Sequence, residues 1–286
     1  MTSFGTIEIG GTKTDMSVGT TVEDLSDPVR IKTTDPDTTL GQVGDFFSDR
    51  DVAAVGVATF GPIDLSPGSR RFGTMLFTPK PGWSGIPLYE RLRESIGVPI
   101  VVTTDANGAA LGEGRWGAAQ GLTDYAYVTV GTGIGAGVVV GGETLGAQHH
   151  PEMGHISVSR HLDDRHEGSC PYHGGCLEGM ASGPALESRF GRPETWAGND
   201  RVVDLATHYL AQGMLALFYV VVPERIIVGG GVSKVPGFHE RLRDRLGALI
   251  AGYPSVPDLE FLISPPGLGD LSGLAGGLVL ASSTVR

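Results

Sequence analysis

Residues 4–18 read FGTIEIGGTKTDMSV, and residues 125–140 read YAYVTVGTGIGAGVVV. Each is an apolar run, a glycine-rich bend and a second run, the pattern of a β-hairpin turned on glycine. Phe4 to Ile9 and Thr14 to Val18 form the first predicted pair, around Gly10-Gly11-Thr12-Lys13. Tyr125 to Val140 forms the second, around Gly131-Thr132-Gly133. The second bend superficially resembles a dinucleotide-binding fingerprint. That site needs a helix after its glycines, and Val138-Val139-Val140 reads as a strand, so the fingerprint is rejected.

Working outward from the first hairpin, helices are predicted over 38–48, 87–96 (with Pro87 in the first turn) and 106–119. Strands are predicted over 51–59 and 99–103, and 60–83 is rich in Gly, Pro and Ser and reads as loop. After the second hairpin, 148–176 is polar, rich in His and irregular. Helices follow over 201–222, 236–251 and 271–281, with a short strand, Arg225 to Val228, running into Gly229-Gly230-Gly231. Strands alternate with helices in both halves, and each half opens on a glycine-joined strand pair. That is an α/β plan used twice, which predicts two related domains facing a cleft, with a boundary near 112–121.

The chain has 286 residues, of which 45 are glycine, with no fixed short period. Tight turns, or backbone brought close to ligands, account for that use of glycine. Acids outnumber bases 32 to 21, a formal charge of −11. Such a field repels a phosphate backbone, so nucleic acid is not expected as a partner. A nucleotide can still bind where local amides and a metal ion override the field. Two cysteines are too few for a secreted disulfide scaffold. No signal peptide and no apolar stretch of roughly 18 residues is visible, so no membrane association is expected and the cytoplasm is the default compartment.

Three clusters carry chemistry. In Gly10-Gly11-Thr12-Lys13 and Gly131-Thr132-Gly133, glycines let amides approach phosphate oxygens without a Cβ in the way. Lys13 can neutralise charge. Either bend taken singly could be an ordinary hairpin turn. Asp105 stands where a strand gives way to a helix, at a carboxyl-terminal strand edge where α/β proteins bind ligands. A carboxylate there can orient an alcohol and accept its proton in phosphoryl transfer; the plainer alternative is a helix N-cap. Asn107 could bind a hydroxyl or merely sit in the first turn. Cys170, His173 and Cys176 are equally spaced around Gly174 and Gly175. With His155 they make a Cys₂His₂ set, a structural zinc complement with no position left for water. His149, His150, His161 and His166 are rival fourth ligands. Glu152 and Glu178 flank the cluster and are either sugar-hydroxyl acceptors or surface glutamates.

Together these motifs resemble the ROK family of bacterial sugar kinases, and within it the zinc-containing fructokinases. The resemblance spans nearly the whole chain. It rests on the opening GGTK, TDANGAALGE at 104–113, the GTGIGAG loop, PEMGH at 151–155 and CPYHGGCLEGMASGPA at 170–185. It implies an actin-like ATPase fold (ribonuclease H-like, hexokinase-type), two α/β domains around a cleft and a homodimer. The domains would be 1–116 and 117–271, the second carrying the zinc loop 155–176, with a final helix at about 272–286 packing back on the first. It implies ATP with Mg²⁺ as phosphoryl donor, a structural Zn²⁺ and a hexose acceptor. Asp105 falls on the general base; Asn107, Glu152, His155 and Glu178 fall on or beside sugar contacts. His155, Cys170, His173 and Cys176 fall on zinc positions. Gly10, Gly11, Thr12, Thr132 and Gly133 fall on phosphate loops, beside Lys13, and Gly229, Gly230 and Gly231 fall near the adenosine site.

Three departures from the wider pattern stand out. Thr104 stands where many glucokinase-like members carry Asn, and His173 where many carry a third Cys; both changes resemble the fructokinase branch. Glu8 replaces a common Asp and keeps its charge, which preserves a water-bridged magnesium contact. The family also holds repressors with a helix-turn-helix ahead of the first strand, which the three residues before Phe4 and the acidic charge argue against. The expected reaction is transfer of a phosphoryl group from ATP to D-fructose. Kinases for glucose, mannose or an N-acetylated hexosamine are the alternatives within the class, and a non-catalytic sugar-binding regulator the alternative outside it.

Overall fold

A computed structural model describes residues 2–146, 151–256 and 258–284. The chain divides into two compact units. The first is formed chiefly by residues up to Gly121 and from Gly267 onward, the second chiefly by Leu122–Glu143 and Pro151–Pro266.

The first unit opens on β1 (Phe4–Ile9), β2 (Lys13–Gly19) and β3 (Val29–Lys32), followed by α1 (Pro36–Phe47), β4 (Val55–Thr59), α2 (Leu88–Ile96), β5 (Ile100–Thr104) and α3 (Asp105–Trp116). Its sheet runs β3-β2-β1-β4-β5, antiparallel through the hairpin strands and parallel beyond β1. β4 is buried at every position, as a parallel strand covered on both faces must be. The strand predicted over 51–59 begins only at Val55. β3 was not predicted: Val29-Arg-Ile-Lys32 is an edge strand with three of four residues exposed, so it has no alternating apolar pattern.

The second unit holds β6 (Tyr125–Val130), β7 (Ile134–Val140) and β8 (Glu143–Thr144), then α4 (Leu177–Ala181), α5 (Gly183–Phe190) and α6 (Asp200–Val221). β9 (Arg225–Gly229), α7 (Phe238–Ile250), α8 (Leu259–Leu262) and β10 (Ile263–Ser264) complete it. Its sheet runs β10-β9-β6-β7-β8. Read from the β8 end and counted from its own first strand, that is the order third-second-first-fourth-fifth, the same as in the first unit. The repeated plan read from the two hairpins is therefore present in the topology. α6 buries Val202, Leu205, Tyr209, Leu210, Met214 and Leu217 on one face, which packs with β6 and α7 in the core of this unit.

α9 (Ser272–Ser283) returns to the first unit, where it packs on β1, β4 and α3. The approach is backbone to backbone. A Cβ on Gly56 would overlap the Gly277 carbonyl, one on Gly276 the Gly108 carbonyl, and one on Gly112 the Ser272 carbonyl. Thr6 Oγ1 donates to Leu274 O at 2.6 Å. The junction is tied by Glu113, fully buried, whose carboxylate accepts from four donors. These are Ala118 N (2.7 Å), Gly267 N (2.9 Å), Leu268 N (3.1 Å) and Ser272 Oγ (2.7 Å). A buried carboxylate is tolerated because each lone-pair direction is filled.

Gly276→Ala should therefore lower stability by about 1–3 kcal/mol or more, through overpacking against backbone that cannot yield. Gly41→Ala, on the exposed face of α1 with open space around it, should raise stability by about 0.5–1 kcal/mol. Denaturant unfolding of both variants checks this; equal effects would refute the close-contact account.

Candidate active site and metal centre

In the first unit, the bend at 10–13 is closed by Gly10 N donating to Lys13 O at 2.8 Å. Lys80, from the long loop before α2, pins it from outside. Its Nζ donates to Gly11 O at 2.6 Å and to Thr33 O at 3.0 Å. Nearby, Trp83 Nε1 donates to Thr34 O at 2.8 Å. Lys13 is engaged within the unit, with Nζ 2.9 Å from Asp15 Oδ2. Asp15 is buried and also takes Arg30 at 2.6 and 2.9 Å. Burial raises the Asp15 carboxyl; the Arg30 and Lys13 bonds outweigh it and hold it below the ordinary carboxylate range. Glu8 lacks such partners. Removal from water pushes its carboxyl up to about 7, Lys13 lowers it, and the charges of Asp105, Asp15 and Asp270 raise it further. A carboxylate among acids fits a divalent cation, which would restore its charged form.

Asp105 is the first residue of α3, and Thr104 is the cap: its Oγ1 accepts from Asn107 N at 3.3 Å. The N-cap alternative for Asp105 thus falls to its neighbour. Asp105 Oδ1 accepts from Ala106 N at 2.8 Å. Asn107 is buried, and its Oδ1 finds no hydrogen-bond partner among the described residues. An orphaned buried carbonyl costs about 1–3 kcal/mol unless a ligand completes it.

In the second unit, the bend at 131–133 is gripped from below. Gly131 N donates to Gly133 O at 2.9 Å and Gly183 N to Gly131 O at 2.7 Å. Ile134 N donates to Glu178 Oε2 at 2.9 Å. Thr132 is exposed. Gly229 closes β9, and Gly230 has φ 91°, a left-handed conformation that favours glycine. Gly231 then leads into a 3₁₀ turn, Val232–Lys234. Glu152 is exposed and precedes a 3₁₀ turn, Met153–His155.

The ligand atoms of His155, Cys170, His173 and Cys176 all lie within 4.8 Å of one another. Cys170 Sγ is 3.8 Å from both His155 Nδ1 and His173 Nδ1, and Cys176 Sγ is 3.7 Å from His155 Nδ1. Tetrahedral zinc with bonds of about 2.3 Å to sulfur and about 2.0 Å to nitrogen needs S···N edges of roughly 3.6 Å. The residues fit. His173 N and Gly179 N donate to the two sulfurs at 3.5 and 3.4 Å, the outer-sphere support that thiolate ligands take. The rivals are used elsewhere: His166 Nε2 meets Ser169 Oγ at 3.0 Å, and His161 Nε2 lies 3.9 Å from Asp204. His149 and His150 lie outside the described residues. The same loop has a second staple in Asp164, which takes Arg189 at 2.6 Å and Tyr209 Oη at 2.7 Å. Burial, then the bond to Asp164, pushes the Tyr209 hydroxyl up to about 12 despite an opposing contact from the His161 amide.

The sequence reading named both bends, Asp105, Asn107 and the zinc set, and the structure brings the zinc set together. It missed Lys80, Asp15 and Glu113. Asp15 left a trace, a charge inside a strand pattern, and Glu113 stood in a quoted motif without a role. Lys80 left none, because its partners are main-chain carbonyls remote in sequence.

The profile of the ROK family matches residues 4–284. A fructokinase of Pediococcus pentosaceus is 38% identical over 99% of this chain and 99% of its own. A fructokinase of Zymomonas mobilis is 39% identical over 97% of this chain and 96% of its own. A ROK family glucokinase from Streptomyces griseus, solved with glucose and AMPPNP, superposes with a TM-score of 0.81 at 25% identity, over 98% of this chain and 99% of that one.

The purified chain should carry one zinc ion. Chelation should lower the melting temperature and open 165–176 to protease while α6 stays protected from hydrogen exchange, since Asp164 holds the loop base without metal. A zinc-free chain with an unchanged protease pattern would refute the centre.

Proposed function

The chain belongs to the ROK family, and from that premise we propose that it is a fructokinase, transferring the γ-phosphoryl group of ATP to D-fructose and releasing ADP and fructose 6-phosphate. The observation that carries this reading is the similarity, along essentially the whole chain, to fructokinases at 38 and 39% identity. The fold is the actin-like, hexokinase type, with the same strand order in both units.

In the proposed mechanism, Asp105 accepts the proton of the fructose 6-hydroxyl as that oxygen attacks the γ-phosphorus. The bond from the γ-phosphorus to the bridging oxygen breaks, and ADP leaves with the electron pair. Asn107 offers its unpartnered Oδ1 to a sugar hydroxyl, which would complete the buried group. Glu152, His155 and Glu178 are the further sugar contacts of this reading. The amides of Gly11 and Thr12, and those of Thr132 and Gly133, would meet the phosphates, while Gly10 N is spent closing the first bend on Lys13 O; Gly229 to Gly231 would lie near the adenosine. Glu8 would help hold Mg²⁺, which would supply charge neutralisation at the phosphates. Lys13, paired with Asp15, adds positive field without touching the phosphates directly. Zinc held by His155, Cys170, His173 and Cys176 would be structural, since the protein supplies four ligands.

Where α6 ends, Val220 and Val222 are exposed beside Tyr219, whose hydroxyl meets Tyr253 O at 2.9 Å, and Tyr253 is itself exposed. These apolar side chains are the proposed contact of a homodimer. No described helix is long and apolar enough to cross a membrane. Cys170 and Cys176 form no disulfide and stand as a ligand pair, and a reducing compartment, the cytoplasm, is the proposed location.

Coupled ADP release with MgATP should show turnover on fructose well above that on glucose, mannose or N-acetylated hexosamines. Asp105→Asn should cut kcat at least a thousandfold while fructose binding, read by calorimetry, holds within about threefold. Retained turnover would remove Asp105 from the role of base. A sedimentation mass near 30 kDa, that of one chain, would defeat the dimer.

A further inference from the structure

The two phosphate loops are not held in the same way. The first is closed on itself and pinned by Lys80 from its own unit. The second, besides its own Gly131–Gly133 bond and the Gly183 amide at the start of α5, rests on the segments that carry the proposed zinc ligands. Cys176 caps α4, its Sγ accepting from Gly179 N at 3.4 Å, and Glu178 lies in the first turn of that helix. Glu178 Oε2 accepts from Ile134 N at 2.9 Å, at the point where the loop re-enters β7. One residue earlier, a Cβ on Gly133 would stand 2.8 Å from the same oxygen, so the loop lies directly on the carboxylate. From another side, Gly154 packs so closely on Ile134 O that a Cβ would overlap it, and Gly154 directly precedes the zinc ligand His155. Leu177 N donates to Ile156 O at 3.0 Å, joining these two segments. The other oxygen, Glu178 Oε1, takes no hydrogen bond from the described residues.

We infer that Glu178 is a positioning residue for the nucleotide as well as a contact for the sugar: one carboxylate oxygen fixes the second phosphate loop through Ile134 N–H and leaves the other for a sugar hydroxyl. The inference rests on the assignment of Gly131–Gly133 as a phosphate loop. Its physical content is pre-organisation. A glycine bend samples many backbone states, and an anion site built of amides binds well when those amides are already aimed. The Ile134 bond is charge-assisted and removes much of that freedom before the nucleotide arrives. A zinc ion held by Cys176 would fix the start of α4, and so would bear on nucleotide binding through the same bond.

A carboxylate near phosphates also repels them, so removing Glu178 has two opposed effects. Comparing Glu178→Ala with Glu178→Gln separates them. Both remove the charge, and only Gln keeps an oxygen that can accept from Ile134 N–H. The measurement is the dissociation constant of an ATP analogue with a non-hydrolysable β–γ bridge, with Mg²⁺ and no sugar, by calorimetry. Melting temperature and zinc content are followed alongside. A residue that touches sugar alone would leave this constant equal in the two variants. The expected result is binding about tenfold weaker in Glu178→Ala than in Glu178→Gln, the worth of about one net hydrogen bond. Gly133→Ala, which keeps Glu178 but crowds its Oε2, should weaken binding of the analogue to a similar degree with zinc retained. It carries the test should the alanine variant at 178 fail to fold. Equal constants for Ala and Gln, or an unweakened Gly133→Ala, would overturn the inference and leave the fructokinase reading intact. Failure of the wild-type chain to bind the analogue would instead bring down that reading, and the inference with it.

Discussion

The first unit depends on contact between α9 and backbone that carries no side chains. Gly56 in β4, Gly108 and Gly112 in α3, and Gly273, Gly276 and Gly277 in α9 let the last helix of the chain lie on the first sheet at main-chain distance. α3 is fixed from that side, and Asp105 is its first residue. Glu8, one strand away, has its carboxylate against Gly273. The proposed base and the proposed magnesium contact are therefore placed by a segment from the far end of the sequence, and the buried Glu113 locks that arrangement with four hydrogen bonds.

Acids withdrawn wholly or partly from water in this protein fall into two kinds, and the difference tracks their use. Asp15, Glu113 and Asp164 each meet a full set of donors, and they tie segments together. Glu8 meets more negative neighbours than positive ones, and its proton is held to about neutrality. A fold maintains such an unsatisfied charge set at a cost in stability, which is the usual mark of a place where a ligand completes the electrostatics. Asn107, with its orphaned carbonyl oxygen, is the neutral counterpart two residues beyond Asp105.

The second unit solves a different problem. The segment 151–176 is mostly irregular and too polar to fix itself by burial. The Asp164–Arg189–Tyr209 network supplies part of what apolar packing does not, and a metal on the His155, Cys170, His173 and Cys176 set would supply the rest. With that segment fixed, α4 can present Glu178 to the glycine loop at hydrogen-bond distance.

Much of this was determined by the sequence alone. Hairpins at 4–18 and 125–140, the long helices and the spacing of Cys170, His173 and Cys176 follow from local rules of periodicity, turn chemistry and ligand geometry. Those rules operate over a few residues, which is why β1, β2, β6, β7 and α6 lie close to their predicted positions. Edge strand β3 and the short helices α4 and α5 escaped, because tertiary partners rather than internal pattern stabilise them. Tertiary structure alone decided that His155, and neither His161 nor His166, faces the two thiols. It alone decided that Thr104 takes the cap and so leaves Asp105 one position inside the helix. It alone showed Lys80 on Gly11 and Glu178 beneath Ile134. Each of these is a hydrogen bond or ligand contact between segments far apart in the chain, and such contacts exist only after the backbone has been brought to within a few ångströms of itself.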